Sequence, residues 1–200
     1  VSFRPHTPAD LQPVLARYDL VHGQYVLSVG TLEPRKRLDQ LITAYAGLPA
    51  QLRARFTLIL TGSSGWLNER LRPLIERGQA EGWLQYLGFV PQADLPAIYA
   101  GAHAFAMISV YEGFGLPLLE AMASGVPVMT SDRSCMPEVT AGAALLVDPD
   151  DVEDIRGNLM RLLEDSAWRI VAMARGLAHA HALTWERCLS QTTDVYRSVA

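Results

Sequence analysis

The feature that most constrains the fold is a series of six short apolar runs, each followed by a helical pattern or a turn. The runs occupy residues 25–30, 56–61, 84–87, 104–108, 127–130 and 144–147. Alternation of apolar and polar residues is absent from them, so each strand is expected to be buried on both faces. Strands that alternate with helices form parallel sheets. The series therefore predicts a doubly wound α/β domain, whose regular spacing comes from the fold and does not indicate a solenoid.

Helical periodicity follows these runs. Apolar residues recur at helical spacing in two places, at Leu38, Leu41, Ile42 and Tyr45 and again at Leu67, Leu71, Leu74 and Ile75. Helices are also predicted over 94–100, with Asp94 as N-cap, over 116–124 and near 137–139. Residues 1–20 are rich in proline and predict a linker that leads into a short helix over 10–17. After the acidic residues at 148–151 the pattern is helical throughout, over 152–163, 168–182 and 185–199.

Length and charge exclude several classes of protein. The chain has 200 residues, half of them apolar, which is enough for one full core. Its net charge of -4 and scattered basic residues argue against a nucleic-acid partner. Since no apolar run approaches the roughly 20 residues that span a bilayer, we expect a cytoplasmic protein. The start lacks an initiator Met, so we expect a piece of a longer polypeptide.

The two cysteines predict neither a metal site nor a disulfide. Cys135 and Cys188 lie far apart and have no further cysteine or cluster of histidines beside them. We expect two free thiols in a reducing compartment. No pair of aspartates suited to holding a metal follows a strand, and Asp150 with Asp151 is better explained as a helix cap. Neither a metal nor another cofactor is expected.

The loop after the first run joins a glycine to three consecutive cations. Gly30 lets the backbone turn tightly, and Arg35, Lys36 and Arg37 precede the helix that begins near Leu38. The helix dipole disfavours cations at this end, so the cluster needs a compensating anion. A diphosphate would supply one, and a solvated basic turn is the alternative.

The loop after the fourth run contains Glu112 and leads into a helix that contains Glu120. Gly113 and Gly115 permit close approach of the backbone to a ligand, and the N–H groups at a helix start suit phosphate oxygens. Each carboxylate can accept two hydroxyl hydrogen bonds, which suits a ribose diol and a sugar. The alternative is a pair of solvated carboxylates, although the small apolar residues at 121–127 favour a Glu120 that points into a cleft. The glycine, aromatic and proline residues at 88–91 offer backbone groups and a ring to a base in the same crevice.

Together these residues resemble the retaining glycosyltransferases of group 1, which have the GT-B fold of two facing Rossmann-like domains. The most specific signature of that family is a Glu, seven residues and a second Glu, here 112–120, continued by 121–128, 137–139 and 143–149. The resemblance covers nearly the whole chain and implies the C-terminal, donor-binding half of the fold. It implies an interdomain lead-in over 1–20, a nucleotide-sugar-binding domain over 21–182, and a helix over 183–200 that returns towards an N-terminal domain.

By resemblance, Glu120 binds the ribose hydroxyls and Glu112 contacts the donor sugar as a hydroxyl ligand, in preference to a role as covalent nucleophile. The diphosphate is expected on Lys36 and on the start of the helix at Leu116. The family often has an arginine where this chain has Thr31, and Arg35 is the expected substitute. The expected catalytic residues are Glu112, Arg35 and Lys36. The expected donor-binding residues are Gly30, Thr31, Gly62, Phe89, Val90, Leu95, Gly113, Phe114, Gly115, Leu116 and Glu120.

The implied function is transfer of a hexose, with retention, from a nucleotide-diphosphate sugar to a glycan or lipid-linked acceptor. The first loop resembles those of bacterial mannosyl- and rhamnosyltransferases of lipopolysaccharide synthesis, so GDP-mannose is the expected donor and the inner membrane face the expected location. The acceptor is expected on the N-terminal domain, and this chain alone is expected to transfer little. The alternatives are a non-catalytic nucleotide-sugar-binding module, a sugar phosphorylase or an epimerase. A dinucleotide-dependent oxidoreductase is disfavoured because no G-x-G-x-x-G follows the first strand.

Overall fold

Six parallel strands form the centre of the protein in a computed structural model that describes residues 3–65 and 69–199. The strands are β1 (Tyr25–Val29), β2 (Thr57–Thr61), β3 (Leu84–Tyr86), β4 (Ala104–Met107), β5 (Val128–Ser131) and β6 (Ala144–Val147). They pair in the order β3-β2-β1-β4-β5-β6, and every pairing is parallel. The predicted doubly wound α/β fold is confirmed.

Helices lie between the strands and after the last of them. In the described residues they are α1 (Pro8–Leu15), α2 (Leu38–Ala46), α3 (Ala50–Arg55), α4 (Leu71–Ala80), α5 (Leu95–Ala100), α6 (Leu116–Ala123), α7 (Met136–Thr140), α8 (Val152–Glu164), α9 (Ser166–Ala182) and α10 (Trp185–Val199). Short 3-10 turns occupy Ala16–Tyr18 and Pro34–Lys36. None of the helices among these residues is long and apolar enough to cross a membrane.

The sheet is buried on both faces, as the apolar runs predict. Neighbouring strand residues point to opposite faces, so Val26 and Leu58 enter one apolar cluster while Leu27 and Ile59 enter the other. The first cluster is covered by α2, α4 and α8, and the second by α1, α5 and α6. This two-sided burial explains why the strands carry no polar face.

One helix was not predicted, one predicted side-chain cap is not formed, and one predicted helix position lies outside the described residues. The helix α3 was not expected, because its sequence contributes a single buried apolar residue, Leu52, and so has no helical period to detect. The side chain of Asp94 does not cap α5, because it accepts hydrogen bonds from Arg17 at 2.6 Å and from the Tyr18 hydroxyl at 2.6 Å. The predicted helix position Leu67 lies outside the described residues, and α4 begins at Leu71.

The two ends of the described chain differ in how they attach to the sheet. The helix α1 inserts Leu11 and Leu15 into the core, so the lead-in residues belong to the packed body. The helix α9 packs on α6, whereas α10 contains no buried residue. The domain boundaries themselves stay a prediction.

The order of the strands reverses between β1 and β4. The chain goes from β1 outward through β2 and β3, then returns to place β4 on the other side of β1. Loops that leave the carboxyl ends of these two neighbours diverge, and open α/β sheets bind ligands in the crevice between such loops. The fold therefore brings the loop after β1 and the loop after β4 together at one edge.

Candidate functional site

Two loops meet at the point where the strand order reverses. We call residues 30–37 the first loop and residues 108–115 the glutamate loop. The backbone N–H of Val110 donates to the carbonyl of Arg35 at 2.9 Å, which joins the two loops directly. The side chains predicted for the diphosphate and those predicted for the sugar therefore share one small region.

Glu112 is the centre of an ion-pair cluster. The Lys36 Nζ atom lies 2.5 Å from Glu112 Oε1, and an Arg35 guanidinium nitrogen lies 2.6 Å from Glu112 Oε2. The same guanidinium also reaches Glu33 at 2.8 Å and the carbonyl of Tyr111 at 3.1 Å. The Lys36 and Glu112 side chains are only 10% and 13% exposed, so their attraction is weakly screened by water. The structure thus joins Arg35, Lys36 and Glu112, the three predicted catalytic residues.

The charges in this cluster stabilise one another. Burial by itself would raise the pKa of Glu112, but hydrogen bonds from Lys36 and Arg35 outweigh it and lower that pKa below its usual value. The hydrogen bond to Glu112 is also the main reason why the pKa of Arg35 is raised. Glu112 is therefore an ionised acceptor at neutral pH, and Arg35 keeps its charge.

The anions that the three cations at this helix start require are carboxylates of the protein itself. Glu112 and Glu33 neutralise Arg35 and Lys36, while Arg37 pairs with Asp150 at 2.7 Å. The three cations therefore need no bound anion to keep their places. A ligand with negative charge would have to take over pairs that already exist.

Glycines allow the loops to approach this closely. Gly62, directly after β2, has a φ of +144°, and a Cβ there would lie 2.1 Å from the carbonyl oxygen of Gly30. Gly30 has a φ of +151°, and a Cβ there would lie 3.1 Å from the end of the Lys36 side chain. Gly62 thus allows the backbone after β2 to contact the first loop, and Gly30 leaves room for Lys36 to reach Glu112. Thr31 follows Gly30 in the first loop and is partly buried.

The helix α6 begins at the edge of the cluster. Gly115 is its N-cap, with a left-handed φ of +94°, and Pro117 lies in the first turn. Among the described residues none accepts a hydrogen bond from the backbone N–H of Phe114, Gly115 or Leu116. The ring of Phe114 and the side chain of Leu116 are about half exposed, and Gly113 is exposed. A helix start with free N–H groups beside two cations is a favourable place for phosphate oxygens.

Glu120 lies one turn into α6 and is partly buried. Burial raises its pKa, and the neighbouring Tyr99 hydroxyl opposes that shift. The Tyr99 hydroxyl is itself buried and does not reach ordinary hydrogen-bond geometry with any described residue. Unlike Glu112, Glu120 forms no ion pair with any described residue, so its carboxylate can accept hydroxyl hydrogen bonds from a ligand.

The predicted base-binding residues split between the surface and the core. The ring of Phe89 is 77% exposed, whereas Val90 is buried and Leu95 packs against the core. Only the backbone of Val90 can face a base, because its side chain points inward. The Gly88 carbonyl accepts from the Gly62 N–H at 2.8 Å and from the Thr61 hydroxyl at 2.9 Å, which ties this loop to the β2 edge.

Four polar residues at this edge were not predicted. Thr130, Ser131, Ser134 and Cys135 follow one another along the end of β5 and the turn after it, and all four donate to backbone carbonyls of β4 or of the glutamate loop. Their signal in the sequence was a pair of hydroxyl residues at the end of the fifth strand and, after two intervening residues, a serine and a cysteine. Within the described part of the chain, no group of three or more potential ligands could hold a metal ion.

Comparison with known sequences identifies the family. The family model described as glycosyl transferases group 1 matches residues 21–176. The chain is 48% identical over 196 residues to O-antigen chain mannosyltransferase B from Escherichia coli, covering 98% of this chain and 51% of that protein. It is 34% identical over 177 residues to the serotype-specific mannosyltransferase WbdA from Escherichia coli, covering 88% of this chain and 22% of WbdA. The chain thus spans about half, or less, of the length of these relatives.

Solved structures share the fold. HepE from Anabaena in complex with UDP-glucose superposes with a TM-score of 0.83 at 22% identity, covering 100% of this chain and 56% of that chain. Sucrose-phosphate synthase from Thermosynechococcus elongatus superposes with a TM-score of 0.81 at 29% identity, covering 98% of this chain and 49% of that chain. Sequence and fold agree, and the chain belongs to the glycosyl transferase group 1 family.

Proposed function

We propose that this chain is the donor-binding domain of a glycosyltransferase that moves a hexose, with retention, from a nucleotide-diphosphate sugar to a glycan or lipid-linked acceptor. The observation that carries the proposal is the convergence of Lys36 and Arg35 on Glu112, at the strand reversal and beside the free N–H groups that begin α6. Two cations and a helix start can bind a diphosphate, and a carboxylate beside them can bind sugar hydroxyls.

Binding of the donor exchanges partners within this cluster. The diphosphate takes over Lys36 and Arg35, and the released Glu112 carboxylate accepts hydrogen bonds from hydroxyls of the sugar. In the transition state negative charge grows on the leaving diphosphate, where the two cations and the N–H groups of Phe114, Gly115 and Leu116 stabilise it. Groups that are fixed before the reaction provide such stabilisation with little reorganisation. No covalent bond to Glu112 is needed in this scheme.

The second carboxylate is assigned to the ribose. Glu120 is partly buried, forms no ion pair within the part of the chain that the structure describes, and lies one helical turn beyond the N–H groups proposed for the phosphates. Two ribose hydroxyls can donate to one carboxylate, and such hydrogen bonds are stronger when the acceptor is partly shielded from water. The base then lies towards Phe89 and the backbone of Val90.

Mannose is the proposed sugar and GDP-mannose the proposed donor. Support comes from two proteins that are similar to this chain, O-antigen chain mannosyltransferase B and the serotype-specific mannosyltransferase WbdA. The UDP-glucose in HepE leaves uracil as the competing base. Because these relatives are about twice as long as this chain or longer, we assign the acceptor site to an N-terminal domain of the same polypeptide, acting at the membrane surface. Transfer is proposed to need no metal, so turnover of the two-domain polypeptide should be unchanged in excess EDTA.

Calorimetry on this chain with GDP-mannose, UDP-glucose and a dTDP-sugar tests the proposal. We expect at least one donor to bind, and Glu120→Ala to weaken binding about tenfold because two hydroxyl donors lose their acceptor, each worth roughly 0.5–1.5 kcal/mol. Glu138→Ala is the matched control, since that carboxylate lies on α7 outside the cluster. No binding of any of the three donors would contradict a preformed donor site. Turnover by the two-domain polypeptide then distinguishes an enzyme from a binding module.

A further inference from the structure

The end of β5 and the turn after it contact the glutamate loop through side-chain donors. The Thr130 hydroxyl donates to the carbonyl of Met107 at 2.6 Å, and the Ser131 hydroxyl donates to the carbonyl of Ser109 at 2.5 Å. The next contacts come from Ser134 and Cys135, which lie in the turn that leads into α7. We call these four donors, Thr130, Ser131, Ser134 and Cys135, the hydroxyl–thiol series.

The last two members reach the loop beside its functional carboxylate. The Ser134 hydroxyl donates to the Glu112 carbonyl at 3.1 Å, and the same oxygen lies 3.5 Å from the Glu112 amide nitrogen. The Cys135 thiol lies 3.3 Å from the carbonyl of Glu112 and 3.3 Å from the carbonyl of Phe114. Two side chains therefore contact the backbone on both sides of Gly113.

The hydroxyl–thiol series contacts the glutamate loop in the region where backbone pairing between β4 and β5 has ended. The register of β4 and β5 ends with Met107 opposite Thr130, and beyond that point the glutamate loop has no parallel strand beside it. On its other side the loop is joined to the first loop through the Val110 N–H and the Arg35 carbonyl. Side chains from the β5 side thus balance this backbone hydrogen bond and the contacts that Arg35 and Lys36 make from the β1 side.

The conformation of Ser134 indicates that this contact matters. Its φ is +54°, a left-handed value that L residues other than glycine, asparagine and aspartate seldom adopt. Glycine would fit this turn with less backbone strain but could make no hydrogen bond to Glu112. Replacement of Ser134 by glycine would therefore remove the hydrogen bond to Glu112 while relieving backbone strain.

We propose that Ser134 and Cys135 are positioning residues that hold the glutamate loop where the Glu112 carboxylate meets Lys36 and Arg35 and the N–H groups of Phe114 to Leu116 face the donor. Their effect on the donor rests on the proposed function. Their effect on the loop does not, because both partners of each Glu112 ion pair belong to this chain.

The first test follows the Glu112 carboxyl by carbon-13 NMR as the pH is lowered, in this chain without donor. If Ser134→Gly lets the loop move away from Lys36 and Arg35, the pKa of Glu112 rises towards its ordinary value. The matched control is Ala141→Gly, which also places glycine at a left-handed position, φ +46°, at the other end of α7 and away from the loop. An unchanged Glu112 titration in Ser134→Gly would overturn the inference.

The second test uses the thiol. Cys135→Ala removes the donor to Glu112 and Phe114, whereas Cys135→Ser retains one, so the titration should shift in the first variant and return towards wild type in the second. Cys188→Ala, at an exposed thiol on α10, is the control and should change nothing. A shift of equal size in Cys135→Ala and Cys135→Ser would show that packing and not donation is responsible, and would remove Cys135 from the proposal.

The third test measures the consequence for the donor. Calorimetry with GDP-mannose and UDP-glucose should show binding weakened about three- to tenfold in Ser134→Gly and in Cys135→Ala, with thermal stability of Ser134→Gly equal to or above wild type. Wild-type binding by Ser134→Gly and Cys135→Ala would overturn the link between loop position and donor affinity. If Glu112 titrates differently but wild type binds neither sugar, the positioning stands and the proposed donor fails.

Discussion

The edge of the sheet and the helix α10 are built in opposite ways. At the edge, the first loop and the glutamate loop are joined by ion pairs, by a backbone hydrogen bond and by glycines that allow backbone contact. In α10 every side chain is exposed or partly exposed, including the large apolar residues Trp185, Leu189 and Tyr196. The edge takes its shape from contacts inside this chain, whereas α10 contributes almost nothing to the packed body. The difference indicates which changes the fold will tolerate.

The largest effect on stability is expected from Gly62→Ala, which adds a Cβ atom at the closest backbone contact of the edge. The added Cβ would lie 2.1 Å from the Gly30 carbonyl oxygen, so two backbones must separate. We expect the free energy of unfolding to fall by about 3 kcal/mol or more, since neither overpacking nor left-handed strain can be relieved locally. Urea denaturation measures the loss.

Gly82→Ala separates the two causes. Gly82 also has a positive φ, +78°, but a Cβ there has nothing within 4 Å. The free energy of unfolding of Gly82→Ala should therefore fall by about 1 kcal/mol, the cost of backbone strain alone. Equal losses in both variants would mean that the contact between Gly30 and Gly62 is unimportant.

The next largest effect is expected on turnover. Lys36→Ala, tested in the two-domain polypeptide, should lower kcat about 100-fold, because it removes one preorganised positive charge from the leaving diphosphate. The matched control is Arg37→Ala, the neighbouring cation, whose pair with Asp150 lies outside the cluster. Steady-state kinetics with saturating donor measures kcat for both variants. Equal rates for the two variants would remove Lys36 from the mechanism.

A smaller effect concerns the side of the sheet remote from the candidate site. His103 is stacked on Phe56 with ring centroids 4.2 Å apart, and its imidazole contacts the Leu163 carbonyl and Arg169. Burial, assisted by the charge of Arg169, lowers its pKa to about 4. The unfolded chain therefore binds the proton more readily between about pH 6.5 and 4, and stability should fall as the pH is lowered through that window.

The loss attributable to His103 is at most about 3 kcal/mol, the full linkage for a shift of this size. His103→Gln retains a polar group that does not titrate and should flatten this part of the stability curve. Urea denaturation at pH 7, 5.5 and 4 measures both proteins. Parallel curves for the two would show that other groups cause the acid sensitivity.

The smallest effect is expected from removing α10. Since this helix has no buried residue, deletion of residues 184–200 should change the free energy of unfolding by less than about 0.5 kcal/mol. Deletion of residues 166–200 also removes α9, which packs on α6 and buries Ala172 and Gly176, and should be strongly destabilising. A large loss from the shorter deletion would contradict the contrast between α10 and the edge.

Sequence reasoning succeeded where a pattern had one physical cause. The six apolar runs give the six strands because strands buried on both faces need such residues, and the spacing of Glu112 and Glu120 identifies the loop and helix of the candidate site. It failed where a residue's contact depends on the fold. Ser131 is polar, so the fifth strand was predicted to end at Thr130, although the fold buries Ser131 against the Ser109 carbonyl. Ser134 and Cys135 likewise resemble ordinary turn residues until the sheet brings Glu112 beside them.

The ion pairs of Glu112 also bear on how this crevice treats the small anions of the cell. Lys36 and Arg35 are already paired within the protein, so an incoming anion must displace an internal carboxylate and supply it with a new partner, for which inorganic phosphate has only its own P–OH groups. A sugar diphosphate can do both, since its phosphates take the cations while its hydroxyls satisfy the displaced Glu112. Under the proposed function, the crevice thereby favours a ligand that carries negative charge and several hydroxyls together, because the pairs of Lys36, Arg35 and Glu112 must be exchanged for new ones.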